Sequence, residues 1–391
     1  MQNKPKLRFK EFNAEWKEGK LEDFSVINPN TSNLPDTFYY IDLECVANGR
    51  IVSDLNVINK VNAPSRAQRV LTINDLLYQM VRPYQRNNFL FIQEKELPTV
   101  ASTGYAQIRT KDNDIRFLYQ KLHTDSFVKC AMQRSTGTGY PAINSTDLAT
   151  IDIKLPEIDE QKKIAEFLSK VDEVISEREE EVKDLEQQKK GLMQKIFSQQ
   201  LRFTDSNNNP YPDWEDKKIG DVFEFYNGKA HEQEIDENGE YIVVNSKFIS
   251  TEGQVKKYTN KVICPLKKDD IVLVMSDVPN GKAMSKCYLI EEDNKYSLNQ
   301  RICCLRTKDV ARFFIYQISR NKYFLKFDNG VSQTNLRKED VLKCPIQVPC
   351  LEEQQKIANV LSKLDELIEE KKALLSDWQQ FKKGLLQQMF V

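Results

Sequence analysis

The stretch PEIDEQKKIAEFLSKVDEVISEREEEVKDLEQQKKGLMQKIF, residues 156–197, returns 193 positions later as PCLEEQQKIANVLSKLDELIEEKKALLSDWQQFKKGLLQQMF, without a gap. A repeat of this length constrains the fold more than any local motif, because the chain has to place the same element twice. Within each copy a seam alternates at spacings of four and three: Ile164, Leu168, Val171, Ile175, Val182, Leu185, Leu192 and Ile196, then Ile357, Leu361, Leu364, Ile368, Leu375, Trp378, Leu385 and Met389. That is the heptad signature of helices that pack along one face. Arg178 and Lys189 interrupt the seam in one copy, Lys371 and Lys382 in the other, which costs burial but can fix register and pairing. The spacing predicts two helices of about 33 residues, roughly 50 Å each at 1.5 Å per residue, too long to lie inside an ordinary domain. Two such seams in one chain predict that the helices pair with each other.

A globule precedes each helix. Residues 1–155 carry short apolar runs, Phe38-Tyr39-Tyr40-Ile41, Leu76 through Val81 and Phe89 through Ile92, separated by Asn, Gly and Pro turns, the pattern of a strand-rich domain. Residues 198–348 repeat the plan loosely. Leu7-Arg8-Phe9, Trp16 and Leu21 match Leu201-Arg202-Phe203, Trp214 and Ile219; Asn74-Asp75-Leu76 matches Asp269-Asp270-Ile271; Arg109-Thr110-Lys111-Asp112 matches Arg306-Thr307-Lys308-Asp309; Gly137 and Asp147 match Gly330 and Asp340. The expected organisation is therefore a globule (1–155), a long helix (156–197), a second globule (198–348) and a second long helix (349–391). The repeat is circular, since the Leu-Arg-Phe element that follows the first helix also stands near the start of the chain. Antiparallel pairing brings the carboxyl end back beside the first globule and relates the halves by a pseudo-twofold axis. Parallel pairing would force one globule to stretch over the full helix length. The fold class is α+β.

With 391 residues, two or three domains with proper cores are expected. A net charge of −1 excludes a generally basic nucleic-acid binder, but not a local basic face: Lys60, Arg66, Arg69, Arg82 and Arg86 occur in a stretch whose only acid is Asp75. Mean hydropathy is −0.58 and no long uncharged apolar run occurs, so the expectation is a soluble cytoplasmic protein without a membrane partner. Eight cysteines without a CxxC pair read as reduced core residues. Catalytic motifs are missing. No Asn/Asp-Pro-Pro-aromatic loop or Gly-rich cofactor turn is present, Gly281-Lys282 lacks the rest of a P-loop, and His123 and His231 have no metal-ligand spacing. The acid-x-lysine triplet Glu215-Asp216-Lys217 reads as a solvated turn in a chain this charged.

The repeated openings Pro156 to Ile164 and Pro349 to Ile357 share the pattern Pro-x-x-x-Glu-Gln-x-Lys-Ile. They continue as Leu-Ser-Lys-x-Asp-Glu from Leu168 and Leu361, and end in Lys-Gly-Leu-x-Gln at Lys190 and Lys383. On these residues, and over essentially its whole length, the chain resembles the specificity subunit of type I restriction-modification enzymes. The resemblance implies two target-recognition domains separated by an antiparallel coiled coil, each reading one half of a bipartite site in double-stranded DNA. It also implies a complex with two modification subunits, which methylate adenine, and two restriction subunits, which translocate and cut. S-adenosylmethionine, ATP and Mg would reside in those partners, leaving this chain without cofactor, metal or catalytic residue. Two other readings stay open at this point: a free-standing sequence-specific DNA-binding regulator with the same domain plan, and a nuclease or methyltransferase with degenerate motifs.

Reading base edges requires donors and acceptors that reach them: Arg for guanine, Asn or Gln for adenine, Ser or Thr for either. The loops that differ between the halves supply Arg66, Arg69, Arg82, Tyr84, Gln85, Arg86, Thr103, Arg134, Thr136 and Thr138 in the first globule. In the second they supply Lys229, Asn245, Lys247, Asn280, Lys282, Asn299, Gln300, Arg301, Gln333, Thr334, Asn335 and Arg337. Half or more of protein–DNA contacts go to phosphate and sugar, so this set mixes base readers with phosphate binders. Gly137, Gly139 and Gly330 would allow close backbone approach to phosphate or simply make turns. Gly191 and Gly384 lie inside the helices, where glycine costs about 1 kcal/mol against alanine. Their matched placement points to a close helix crossing or to a docking surface for the modification subunit.

Overall fold

Two helices dominate the computed structural model, which describes residues 4–30, 33–278, 281–328 and 333–391. They are Ile158–Phe197, of 40 residues, and Leu351–Met389, of 39. Both exceed the heptad seam because helix begins within two residues of Pro156 and Pro349. The chain forms two compact units, Met1–Glu181 with Lys371–Val391, and Val182–Glu370. Each unit thus holds a globule, the start of the helix that follows it and the end of the other helix.

Inside both units the helices run antiparallel. In the first, Lys382 Nζ lies 2.5 Å from Asp172 and Lys371 Nζ 2.6 Å from Glu181; in the second, Lys189 pairs with Asp365. Numbers rise on one helix as they fall on the other. Three of the cations that interrupt the heptads are thereby matched by carboxylates of the facing helix, while Arg178 pairs with Glu181 on its own helix. Asp172 also accepts from Gln120 Nε2 (2.7 Å) and Asp365 from the Tyr316 hydroxyl (2.7 Å), so the polar seam positions are tied into each globule as well. Around them Ile164, Leu168, Val171, Ile357, Leu361 and Ile368 are buried.

The globules share one topology. In the first, strands Ser25–Ile27, Tyr105–Thr110, Asp75–Gln79 and Phe89–Phe91 form an antiparallel sheet in that order. In the second, Glu224–Asn227, Ile302–Arg306, Ile271–Val274 and Cys287–Leu289 do the same. A second sheet in each contains a parallel pair, Thr37–Ile41 with Thr99–Ser102 and Tyr241–Val244 with Tyr296–Leu298. A two-stranded ribbon closes each globule just before its helix: Lys17 pairs with Leu155 through Lys20 with Asp152, and Glu215 with Val348 through Lys218 with Pro345. Glu215-Asp216-Lys217 is accordingly an exposed ribbon strand and not a turn, with Lys217 paired to Glu215 and Asp216 accepting from Gln347.

Specific polar contacts explain why these sequences fold this way. Asp75 and Asp270, fully buried, follow left-handed residues Asn74 and Asp269 and accept from Arg109 (2.8 Å) and Arg306 (2.7 Å). Asn and Asp tolerate that backbone region better than other non-glycine residues. Glu160 and Glu353, in the first turn of each long helix, are also buried; Arg8 and Arg202 grip them with two nitrogens each, at 2.7–2.8 Å and 2.9–3.0 Å. The adjacent Gln161 accepts from Asp114 N and donates to Pro156 O, and Gln354 accepts from Val310 N and donates to Pro349 O. This gives the repeated Glu-Gln dipeptide its physical meaning.

The circular repeat is visible in the backbone. Leu201 N donates to Lys195 O (3.0 Å) just after the first helix, and Leu7 N donates to Gln388 O (2.9 Å) at the end of the second. Matching aromatic trios follow: Trp16, Phe117 and Phe390 in the first unit, Trp214, Phe313 and Phe197 in the second. All eight cysteines are free, and burial raises the thiol pKa of Cys287, Cys303 and Cys304. Among the described residues no helix is long and apolar enough to cross a membrane.

The two clamps differ at the tryptophan. Glu353 accepts from Trp214 Nε1 (2.9 Å) as well as from Arg202, whereas Trp16 Nε1 has no partner among the described residues. Removing one member of a buried pair costs about 3–5 kcal/mol. Glu353→Ala is therefore expected to lower the urea midpoint further than Glu160→Ala, as followed by tryptophan fluorescence.

Candidate nucleic-acid interface

Backbone bonds gather the divergent loops of the first globule. Thr103 N donates to Arg66 O (2.8 Å), Met80 N to Gly104 O (3.0 Å), Ile143 N to Met80 O (3.0 Å) and Arg82 N to Pro141 O (2.7 Å). Thr136 and Ala142 exchange two bonds of 2.9 Å, closing the hairpin that carries Thr138. Arg66, Arg82, Thr103, Thr136 and Thr138 thus belong to one connected loop cluster. Arg66 is exposed and Arg82 half-exposed, and neither guanidinium has a hydrogen-bond or ion-pair partner among the described residues. Arg69 and Arg134 are half-buried, and Arg69 Nε and Arg134 Nη1 have no acceptor among the described residues; burial lowers the Arg69 pKa. A buried donor left unpaired costs about 1–3 kcal/mol, a cost that an anionic oxygen bound there would remove.

Other members of the set are committed internally. Arg86 donates to His123 O (2.9 Å) and Asp125 (2.5 Å), and Gln85 Oε1 accepts from Gln79 (2.9 Å). Tyr84 stays half-exposed on the short 3-10 turn Pro83–Gln85. Asp75, the only acid of this basic stretch, is spent on Arg109, which leaves the positive charge of the loops uncompensated by it.

The second globule gathers equivalent loops with other residues. Met275 N donates to Arg301 O (2.9 Å), Leu336 N to Met275 O (2.7 Å) and Asn299 N to Val244 O (3.0 Å), and Ser276–Asp277 pairs with Thr334–Asn335. Arg301, in the left-handed region at φ 67°, is exposed, as are Lys229, Lys247, Lys282 and Asn335. Asn299 is half-buried with Oδ1 unpartnered. The remaining side chains support the loops: Asn245 caps the helix Ser246–Ser250, Gln300 bonds Glu232, Gln333 bonds Ser276 (2.6 Å), Thr334 bonds Asp328 (3.2 Å) and Arg337 pairs with Asp340 (3.1 Å). Asn280 and Gly330 lie outside the described residues.

Neither histidine is placed for chemistry. His231 is buried between Lys229 O and Ser297 Oγ, both at 2.7 Å, and His123 bonds Tyr119 O at 2.7 Å. Among the described residues no three His, Cys, Asp or Glu side chains form a metal-holding group.

One residue escaped the sequence reading. Tyr140, 69% exposed, stacks under the Arg82 guanidinium, 4.2 Å from ring centroid to Cζ. Its signal was an aromatic between Gly139 and Pro141 in a turn, where it has no core to fill.

A constant ion-paired frame occurring twice, with the differences between the halves concentrated in the surface loops, defines a protein of two tandem modules that share a scaffold and differ in surface. The sequence matches the type I restriction modification DNA specificity domain over residues 13–187 and again over 211–376. The chain belongs to that family, as a DNA-binding specificity subunit of a type I restriction-modification system. It is 26% identical over 320 residues to the MjaVIII specificity subunit of Methanocaldococcus jannaschii, covering 76% of this chain and 74% of that one. To the putative MjaX specificity subunit of the same organism it is 24% identical, with 98% and 95% covered. In fold it resembles the S subunit from M. genitalium (TM-score 0.59, 16% identity, 99% of each chain). A chain from a study of complex assembly and conformational transition in the type I R-M system is similar too (TM-score 0.56, 20% identity, 95% and 96% covered).

The geometry separates struts from free side chains. Arg86→Ala is expected to lower the thermal midpoint, because it frees a carbonyl and a carboxylate that Arg86 now holds; Arg66→Ala, with no bond to lose, is expected to leave it unchanged. Scanning fluorimetry of the two variants checks this.

Proposed function

We propose that each globule reads one half of a bipartite site in double-stranded DNA, while the helix pair sets the unread spacer and docks two modification subunits. Two restriction subunits complete the assembly. S-adenosylmethionine, ATP and Mg act in those partners, and this chain contributes address without catalysis. The observation that carries the reading is the doubled frame. Asp75–Arg109 and Glu160–Arg8 recur as Asp270–Arg306 and Glu353–Arg202, whereas Arg82-Pro83-Tyr84 stands where the second half has the loop from Asp277, and Ser102-Thr103-Gly104 where it has Asn299-Gln300-Arg301. One scaffold bearing two surfaces suits two different half-sites. Docking on the helices is supported by Gly191 and Gly384: a Cβ built on either meets nothing within 4 Å, so no helix crossing among the described residues accounts for them.

Exchanging residues 1–155 for those of a relative is expected to replace one half of the methylated motif and keep the other, read by sequencing of N6-methyladenine in cells carrying the complete system. A simultaneous change in both halves would sink the two-reader scheme.

The spacer role has its own test. Seven residues inserted between Val171 and Val182, with seven more between Leu364 and Leu375, return every seam residue to its face. They add about 10 Å of helix, comparable with about three base pairs at 3.4 Å each. Both half-sequences are expected to persist with a gap lengthened by up to that amount, whereas five-residue insertions turn the seam outward and destabilise the pair. An active enzyme with an unchanged gap would show that the helices do not set the spacing.

A further inference from the structure

The Arg82 loop combines three features that its role in the fold does not require. First, Arg82 takes a left-handed backbone conformation, φ 55° and ψ 58°, in a region where a non-glycine residue is strained and where such outliers cluster at functional sites. Second, the strain is held from outside the local turn, by the 2.7 Å bond from Arg82 N to Pro141 O. Third, the guanidinium lies over the ring of Tyr140, an aromatic left mostly in solvent. The hairpin bearing Tyr140 is itself fixed by the paired Thr136 and Ala142 and by Gly137 at φ 92°, where a Cβ would meet Tyr140 O at 3.0 Å. Three backbone constraints thus converge on one stacked pair at the solvent boundary.

Stacking occupies the face of a guanidinium and leaves its edge, where all five N–H donors lie, available for bonding. Among DNA bases, guanine offers two acceptors, O6 and N7, side by side in the major groove for a planar fork of donors. A flexible arginine loses rotamer freedom on making those bonds; a stacked one has less to lose.

We propose that Tyr140 is a positioning residue that holds Arg82 ready to read one guanine of the first half-site. The inference rests on the reading of the first globule as a DNA reader and adds the base and the pair of residues that select it. Arg82 makes the contact; Tyr140 acts through it by presenting an aromatic face. The hydroxyl of Tyr140 has no part in this, so the ring alone suffices.

The test uses the complete modification complex carrying Arg82→Ala, Arg82→Lys, Tyr140→Leu or Tyr140→Phe. It measures the methylated motif by sequencing, and competition binding to duplexes changed at one base pair at a time, at several salt concentrations. Arg82→Ala and Tyr140→Leu are expected to relax the same single G·C position, losing about tenfold or more in discrimination there, with the other positions unchanged. Tyr140→Phe is expected to retain it. Arg82→Lys, which keeps the charge but not the fork, is expected to lose it with an unchanged salt slope, and does not depend on how well a Tyr140 variant folds. If Arg82→Ala relaxes a position that Tyr140→Leu leaves intact, or if the two relax different positions, the positioning role is wrong and the two-reader scheme stands. Uniform weakening on all sequences with a shallower salt slope makes Arg82 a phosphate contact and overturns the proposal. If Arg82→Ala changes neither motif nor affinity, the proposal also fails, and the exchange of residues 1–155 then decides separately whether the first globule reads DNA at all.

Discussion

A carboxylate taken out of water in the first turn of a helix has to find a cation, or the helix start cannot be buried. Glu160 and Glu353 meet that demand through Arg8 and Arg202, which come from an element about 150 residues earlier in each case. Much else depends on the match. It fixes where each long helix leaves its globule, brings the Leu-Arg-Phe segment onto a helix end, and sets the aromatic trio that seals the junction. The neighbouring glutamine adds bonds to the residue before the core helix Ile115–Leu122 or Ala311–Ile318. The start of a long helix is thus determined by side chains, while its continuation is determined by the seam.

The frame concentrates its polar energy inside and leaves the loops with little structural duty. Buried Asp75 and Asp270 neutralise Arg109 and Arg306 at the sheet, so these arginines are fixed parts of the scaffold. The cationic side chains of the loops, Arg66 and Arg82 in one globule and Lys229, Lys282 and Arg301 in the other, have no ion-pair partner among the described residues. Surface substitutions away from buried features change stability by about 0.5 kcal/mol or less, so reading residues can change while the frame stays constant. Loops held by backbone bonds, as at Thr103–Arg66 and Met275–Arg301, accept new side chains without losing their place.

The long helices and their seams were legible in the sequence, because a seven-residue period survives four charged interruptions. What Lys189 and Lys382 pair with was not legible. Asp365 and Asp172 face them only in an antiparallel register, and a register is a relation between segments that no local pattern contains. The strand-rich globules could be read from runs such as Phe38 through Ile41, now the strand Thr37–Ile41. The candidate interface was legible as regions and not as roles. Residue type alone does not distinguish Arg86, locked onto Asp125, from Arg66, whose guanidinium has no partner among the described residues, since both are arginines in a basic stretch. Tyr140 was hidden for the opposite reason: its importance lies in the cation above it, which comes from a loop 58 positions earlier in the sequence.

The shared ownership of the helices has a consequence for the order in which the protein is completed. The core of the first globule includes Leu385, Leu386, Met389 and Phe390, whereas the second unit is complete at Glu370. On the ribosome the half made first is therefore finished last. Loss of the residues after Glu370 would spare the second unit and leave a gap in the core of the first.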